Sequence, residues 1–170
     1  MENSIVTAFA IIAAVVCAVL VFNAIYPAVV SSGDAMTSMG RTMSDRLKSQ
    51  VQVIHAAGEL DTDHLWEDIN GDGDFDVFLW VKNTGSLRIA AVESCDIFFG
   101  PEGNFSRIPH RSVAGGSYPY WTWEIENGSN WDPTVTIKIT IHYSSLLSSE
   151  RYFAKIVIPN GISDEYYFSM

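Results

Sequence analysis

The pattern of apolar and polar positions along the chain changes character twice. From Ile5 to Val30 the run IVTAFAIIAAVVCAVLVFNAIYPAVV is apolar except for Thr7, Asn23 and Tyr26, and it holds no formal charge. A bilayer core is crossed by about 20 such residues in helical form, so the run predicts a membrane-spanning helix. A cleaved secretory signal fits poorly, because MENS offers nothing basic and the run outlasts the usual apolar length of about 7 to 15 residues. Beyond it the apolar positions thin to a stripe, Met36, Met39, Met43 and Leu47, at spacings of three and four that define one helix face. Gly33 and Gly40 weaken a helix without ending it, so one helix is predicted from about Ser4 to about Gln50. The stripe suits packing either on the protein's own domain or on neighbouring copies.

At Val51 the period becomes two. Val51, Val53 and His55 alternate with Gln52, Ile54 and Ala56, and the runs FDVFLWVKN (75–83), LRIAAVESCDIFF (87–99), YPYWTWEIE (118–126), TVTIKITIHY (134–143), RYFAKIVIP (151–159) and the terminal EYYFSM share the style. NTGS, GPEGN, AGGS, ENGSNWDP and PNG separate them with turn-forming residues. About seven short strands in roughly 120 residues predict a mainly β domain, an immunoglobulin-like β-sandwich without the cysteine and tryptophan pattern of a true immunoglobulin domain. The expected organisation is a transmembrane helix over 1–30, a helical connector over 31–50 and the sandwich over 51–170.

Charge sharpens this division. Three acids (Glu2, Asp34, Asp45) balance three bases (Arg41, Arg46, Lys48) in residues 1–48, so the net charge of −10 lies wholly on the remainder. Such a domain has no basic face for nucleic acid. Cys17 lies inside the apolar run and Cys95 far from it, which leaves no internal disulfide if the run is in lipid. Asn104-Phe105-Ser106 and Asn127-Gly128-Ser129 are sequons for N-glycosylation at Asn104 and Asn127, available to an outward-facing domain.

The order of a short stub, one apolar helix, a methionine-bearing helix and strands containing VFLWVKNTGSLRI (77–89) and IVIPNGISDEYYF (156–168) resembles the FlaG family of archaellum stator proteins. The most specific stretches are Val81-Lys82-Asn83-Thr84-Gly85-Ser86 and Pro159-Asn160-Gly161-Ile162-Ser163-Asp164-Glu165. The resemblance implies a non-enzymatic part of the archaeal motility machinery, held in the cytoplasmic membrane with its sandwich outside. It also implies as partners further copies of the chain, the sister protein FlaF, or the surface layer. The alternative is a filament subunit of archaellin or pilin type with a helical core and an outward sandwich. Archaellins share a Lys-Asn-x-Gly turn but carry a basic residue and a glycine before the apolar helix, and Met1 to Ser4 holds neither. Read for their own chemistry, the same motifs are scaffold: Asn83 and Gly85 suit positive φ in a turn, and Asn160-Gly161 is a hairpin signal.

Candidate chemistry is confined to a few places. Asp68, Asn70, Asp72, Asp74 and Asp76 occupy positions 1, 3, 5, 7 and 9 of a calcium loop with Gly73 at position 6, while position 12 is Leu79 instead of a bidentate glutamate. Calcium is thus the one candidate cofactor, against a plain double turn before the strand at Phe75. In Tyr118-Pro119-Tyr120-Trp121-Thr122-Trp123, alternation sets Tyr118, Tyr120 and Thr122 on one face and the tryptophans on the other, one of the two being core. Tyr166, Tyr167 and Phe168 on the final strand are candidate interface anchors, with Tyr166 and Phe168 also placed to close the core. No nucleophile elbow, phosphate loop or zinc-protease motif occurs, and His55, His64, His110 and His142 are scattered, so no enzymatic activity is expected.

Overall fold

The computed structural model describes residues 2–60, 67–69, 71 and 73–170. In chain order the elements are α1 (Glu2–Lys48), β1 (Val51–Gly58), β2 (Phe75–Asn83), a single 3-10 turn (Val92–Ser94), β3 (Asp96–Pro101), β4 (Ser106–Ile108), α2 (Arg111–Ala114), β5 (Tyr120–Ile125), β6 (Thr136–Tyr143), β7 (Arg151–Val157) and β8 (Ser163–Ser169). The chain divides into two compact units, Met1–Met43 and Ser44–Met170.

In the first unit α1 runs unbroken through Pro27, Gly33 and Gly40. Ile5, Phe9, Val16, Leu20, Phe22 and Val29 are all exposed. A helix whose first part is apolar around its circumference and unburied by its own chain is matched to an apolar solvent, and it is long and apolar enough to cross a membrane. Met36, Met39 and Met43 are exposed as well.

The second unit is a sandwich of two antiparallel four-stranded sheets, ordered β1-β2-β6-β5 and β4-β3-β7-β8. Alternation turns Val77, Leu79, Val81, Ile137, Ile139 and Ile141 of the first sheet toward Ile97, Phe99, Tyr152, Ala154 and Ile156 of the second, with Trp121 and Trp131 completing one core. Burial of this apolar surface is the main stabilising contribution.

Three details differ from simple alternation. The register of β1 against β2 shifts between Val53 and His55, a bulge that buries Ala56 and exposes Ile54 and His55. Residues 87–95 form no strand: Ile89, Val92 and Cys95 are buried at spacings of three, a period no strand can present to one face, and β3 starts only at Asp96. The short β4 was not legible as a strand at all. It gains its place by pairing with β3 at Ile97, Phe98 and Phe99.

Both motifs of the family resemblance lie where the chain enters the sandwich. Asn83 is completely buried, and every polar group it has is used. Its Nδ2 donates to Leu87 O (2.9 Å) and Trp131 O (3.1 Å), and its Oδ1 accepts from Gly85 N (3.0 Å). Its backbone N–H donates to Val135 O, and its carbonyl accepts from Thr134 N. The turn so held donates from Thr84 N and Gly85 N to Gln50 O and from Ser86 N to Lys48 O. Neither Asn83 nor Gly85 has positive φ, contrary to the expectation from sequence. Gly85 is required for closeness instead: a Cβ there would lie 2.6 Å from both Gln50 N and Lys48 O. Gly161, at φ 86, does turn the β7–β8 hairpin in the left-handed region, beside the Arg46 guanidinium.

Asn83→Leu keeps the volume but takes the side-chain donor from Leu87 O and leaves Trp131 O and Gly85 N with only their backbone partners Ile89 N and Gln50 O, so it should lower unfolding stability by about 1 to 3 kcal/mol. Gly85→Ala should cost about 2 kcal/mol through backbone displacement. Denaturant titrations followed by circular dichroism measure both.

Burial pushes the Cys95 thiol up to about 12, with Asp96 and Glu93 adding to the effect, and burial likewise pushes the Tyr143 phenol to about 12. Both hold their protons more tightly in the fold than in the unfolded chain, so stability is intact below about pH 9 and fades as pH rises toward 12. Thermal melts should be level up to about pH 8 and decline above about pH 9, with the decline starting later in Cys95→Ala.

Candidate functional site

The outward face of the first sheet is built in three cross-strand rows set by its register. Asp76, His142 and Tyr120 form the first row, Phe78, Thr140 and Thr122 the second, and Trp80, Lys138 and Glu124 the third. In the third row Lys138 pairs with Glu124 and lies 5.4 Å from the Phe78 ring, while Trp80 Nε1 donates to Glu126 Oε1 at 3.0 Å. The face that carries Tyr120 and Thr122 is therefore the outward one and is cross-linked by polar contacts, while Trp121 takes the core side.

The first row carries the densest chemistry. Asp76 is 3% exposed. His142 Nδ1 approaches Asp76 Oδ1 to 2.8 Å and Asp74 Oδ2 to 3.4 Å, while its Nε2 lies 2.9 Å from Thr122 Oγ1. At the 2.8 Å separation Nδ1 and Asp76 Oδ1 form a potential ion pair, and neither atom makes a hydrogen bond. Tyr118 donates its hydroxyl to Asp74 Oδ1 and Tyr120 donates to Asp74 Oδ2 at 3.3 Å. The Tyr120 ring stacks on His142 with centroids 4.7 Å apart. Donation to Asp74 holds the Tyr118 proton and raises its phenol to about 12; Tyr120 is raised too, first by burial and then by Asp74.

Of the proposed calcium-loop residues, Asn70 and Asp72 lie outside the described residues. Asp68 accepts from Gly71 N (2.6 Å) and Gly73 N (2.8 Å), one on each carboxylate oxygen, and so braces its own turn. Asp74 and Asp76 join His142, a partner that sequence reading missed. Its only signal was the alternation of β6, which does not reveal that His142 stands opposite Asp76 until the strands are paired.

The final strand β8 is an edge of the second sheet. Tyr166 and Phe168 pack on the core, whereas Tyr167 points outward, 45% exposed, 5.1 Å from the Phe153 ring and beneath the Arg151 guanidinium at 5.0 Å. Phe105 covers Phe153 from the other side at 4.4 Å, so an aromatic strip crosses the outward face of this sheet. Asp164 leaves the strip and accepts from Val53 N at 2.8 Å, tying β8 to β1 of the other sheet. Both sequons are exposed: Asn104 lies in the β3–β4 turn, and Asn127 Oδ1 accepts from Thr136 N at 2.7 Å.

The family model for archaeal-type flagellin matches residues 2–168. The chain belongs to this family. It is 27% identical to an uncharacterized protein of Archaeoglobus fulgidus over 171 residues, which cover 96% of this chain and 95% of that protein. Among solved structures it is similar to the archaellum periplasmic stator protein FlaG from Sulfolobus acidocaldarius, with 29% identity and a TM-score of 0.55 over 71% of this chain and 99% of that one. A chain of the FlaF and FlaG stator complex from the same organism gives 30% identity and a TM-score of 0.53, covering 70% of this chain and 88% of that one. The helix-plus-sandwich architecture and the family resemblance read from sequence both stand.

Tyr167→Lys should leave the melting temperature within about 2 °C of wild type, because the side chain is half in water, whereas Phe168→Lys should unfold the domain by placing a charge in the core. If Tyr167 is an interface anchor, the folded Tyr167→Lys chain loses association in analytical ultracentrifugation; unchanged association removes that role.

Proposed function

We propose that the chain is an archaellum stator subunit, a structural and non-enzymatic protein whose α1 anchors it in the cytoplasmic membrane and whose sandwich works outside. The observation that carries this reading is the similarity to a solved stator protein at about 30% identity over most of that protein's chain. The organisation of the molecule is consistent with it. The chain's chemistry is spent on holding strands and turns, through the Asn83 network, the Asp164 clamp and the Lys155–Glu165 pair at 2.9 Å. A stator resists lateral force, and a single helix in fluid lipid offers little resistance, so the external domain must be held by something firmer. The complex of FlaF with FlaG makes a FlaF-type sister subunit the first partner to expect, with the surface layer as the outer support.

The outside orientation has to answer the positive-inside rule, since Arg41, Arg46 and Lys48 follow the apolar run. Arg46 lies against Gly161 of the β7–β8 hairpin, and the Lys48 carbonyl is bonded to Ser86. Those two residues belong to the folded domain and are poor candidates for membrane-surface anchors. Protease added to surface-layer-stripped cells should therefore digest the sandwich without permeabilisation, and deletion of the gene should abolish swimming while filaments still assemble. Protection of the sandwich would reverse the orientation, and loss of the filaments themselves would favour the filament-subunit reading.

A further inference from the structure

The geometry points to a structural site for a borderline divalent cation of the zinc type, formed by Asp74, Asp76 and His142 at the top of the first sheet. One donor atom from each lies within 4.8 Å of the others. Two ligands bound about 2.1 Å from one ion stand about 3.0 Å apart in octahedral and about 3.4 Å apart in tetrahedral arrangement. The separations of 2.8 Å from Nδ1 to Asp76 Oδ1 and 3.4 Å from Nδ1 to Asp74 Oδ2 correspond to these.

The second observation is polar and independent of the spacing. Asp76, almost wholly buried, directs an Oδ1 that makes no hydrogen bond at a His142 Nδ1 that makes none either. In the tautomer whose Nε2–H donates to Thr122 Oγ1, Nδ1 is a bare lone pair facing two carboxylates, an arrangement that a cation between them resolves. An imidazolium paired with Asp76 Oδ1 at 2.8 Å is the other solution, and it takes up no zinc.

The surroundings match the outer layer of metal sites, in which each ligand is held by a further hydrogen bond. Thr122 engages the far nitrogen of His142, and Tyr118 and Tyr120 donate to Asp74. Calcium takes six to eight oxygen ligands, whereas an imidazole nitrogen with carboxylates suits zinc and its neighbours. A cation here would join the start of β2 to the end of β6 and, through the two tyrosines, to the segment entering β5.

The test uses the full chain in detergent micelles, stripped with EDTA and dialysed against Zn2+ or Ca2+, with bound metal measured by mass spectrometry. Wild type should take up about one equivalent of Zn2+, and at about a hundredfold excess over Kd the melting temperature should rise by about 5 °C. His142→Gln and Asp76→Asn should fold in EDTA as wild type does and lose about tenfold or more in zinc affinity. No zinc uptake by wild type at about 100 μM overturns the site, as does zinc uptake that both variants retain, which would assign it to other histidines. Calcium uptake without zinc uptake, untouched by His142→Gln, also overturns it and assigns binding to the Asp68 loop.

Discussion

The buried carboxamide of Asn83 is the contact on which the architecture of the domain depends. A side-chain amide with no water to turn to must find partners, and here its two donors and its acceptor meet Leu87, Trp131 and Gly85. That fixes the turn after β2 in one shape. In that shape the backbone of Thr84, Gly85 and Ser86 reaches the carbonyls of Lys48 and Gln50, where helical chain becomes the first strand. The last turn of α1 from Ser44 onward thus belongs to the same unit as the sandwich. A side chain at position 85 would push the two backbones apart, so the glycine is there for clearance.

A second consequence concerns where function can reside. The motifs that identify the family are taken up by this junction and by the Asn160-Gly161 hairpin, whose Oδ1 accepts from Ile162 N at 3.1 Å. They therefore specify a frame, which leaves other surfaces for contact with other proteins. The outward faces of the two sheets supply such surfaces with different chemistry. One carries the three ordered rows ending at Asp76 and His142, and the other carries the strip of Phe105, Phe153 and Tyr167. Asp164 ties the neighbouring edges of the two sheets together by accepting from Val53 N, beside the bulge in β1.

The same logic gives the acidic stretch before β2 two parts. Asp68 is spent on its own turn by accepting backbone amides, whereas Asp74 and Asp76 face β6 and the tyrosines of residues 118–120. Proximity in sequence united them into one apparent loop. Strand pairing separates them, because Asp76 already belongs to the ladder while Asp68 precedes it.

Sequence alone determined the apolar helix, the change of period at Val51, the strands built on continuous alternation and the family, since each is written in neighbouring residues. The long apolar run needs no partner to be recognised, and VKNTGS and PNGISDE mark their turns locally. Tertiary structure decided everything that depends on which strands meet. The bulge in β1 exists only against β2, and β4 only against β3. The role of Gly85 is set by a backbone from a different part of the chain, so local turn chemistry suggested a positive φ that it does not have. His142 joined Asp74 and Asp76 for the same reason: alternation says which face a residue takes, and only the register of β2 with β6 says what it faces there.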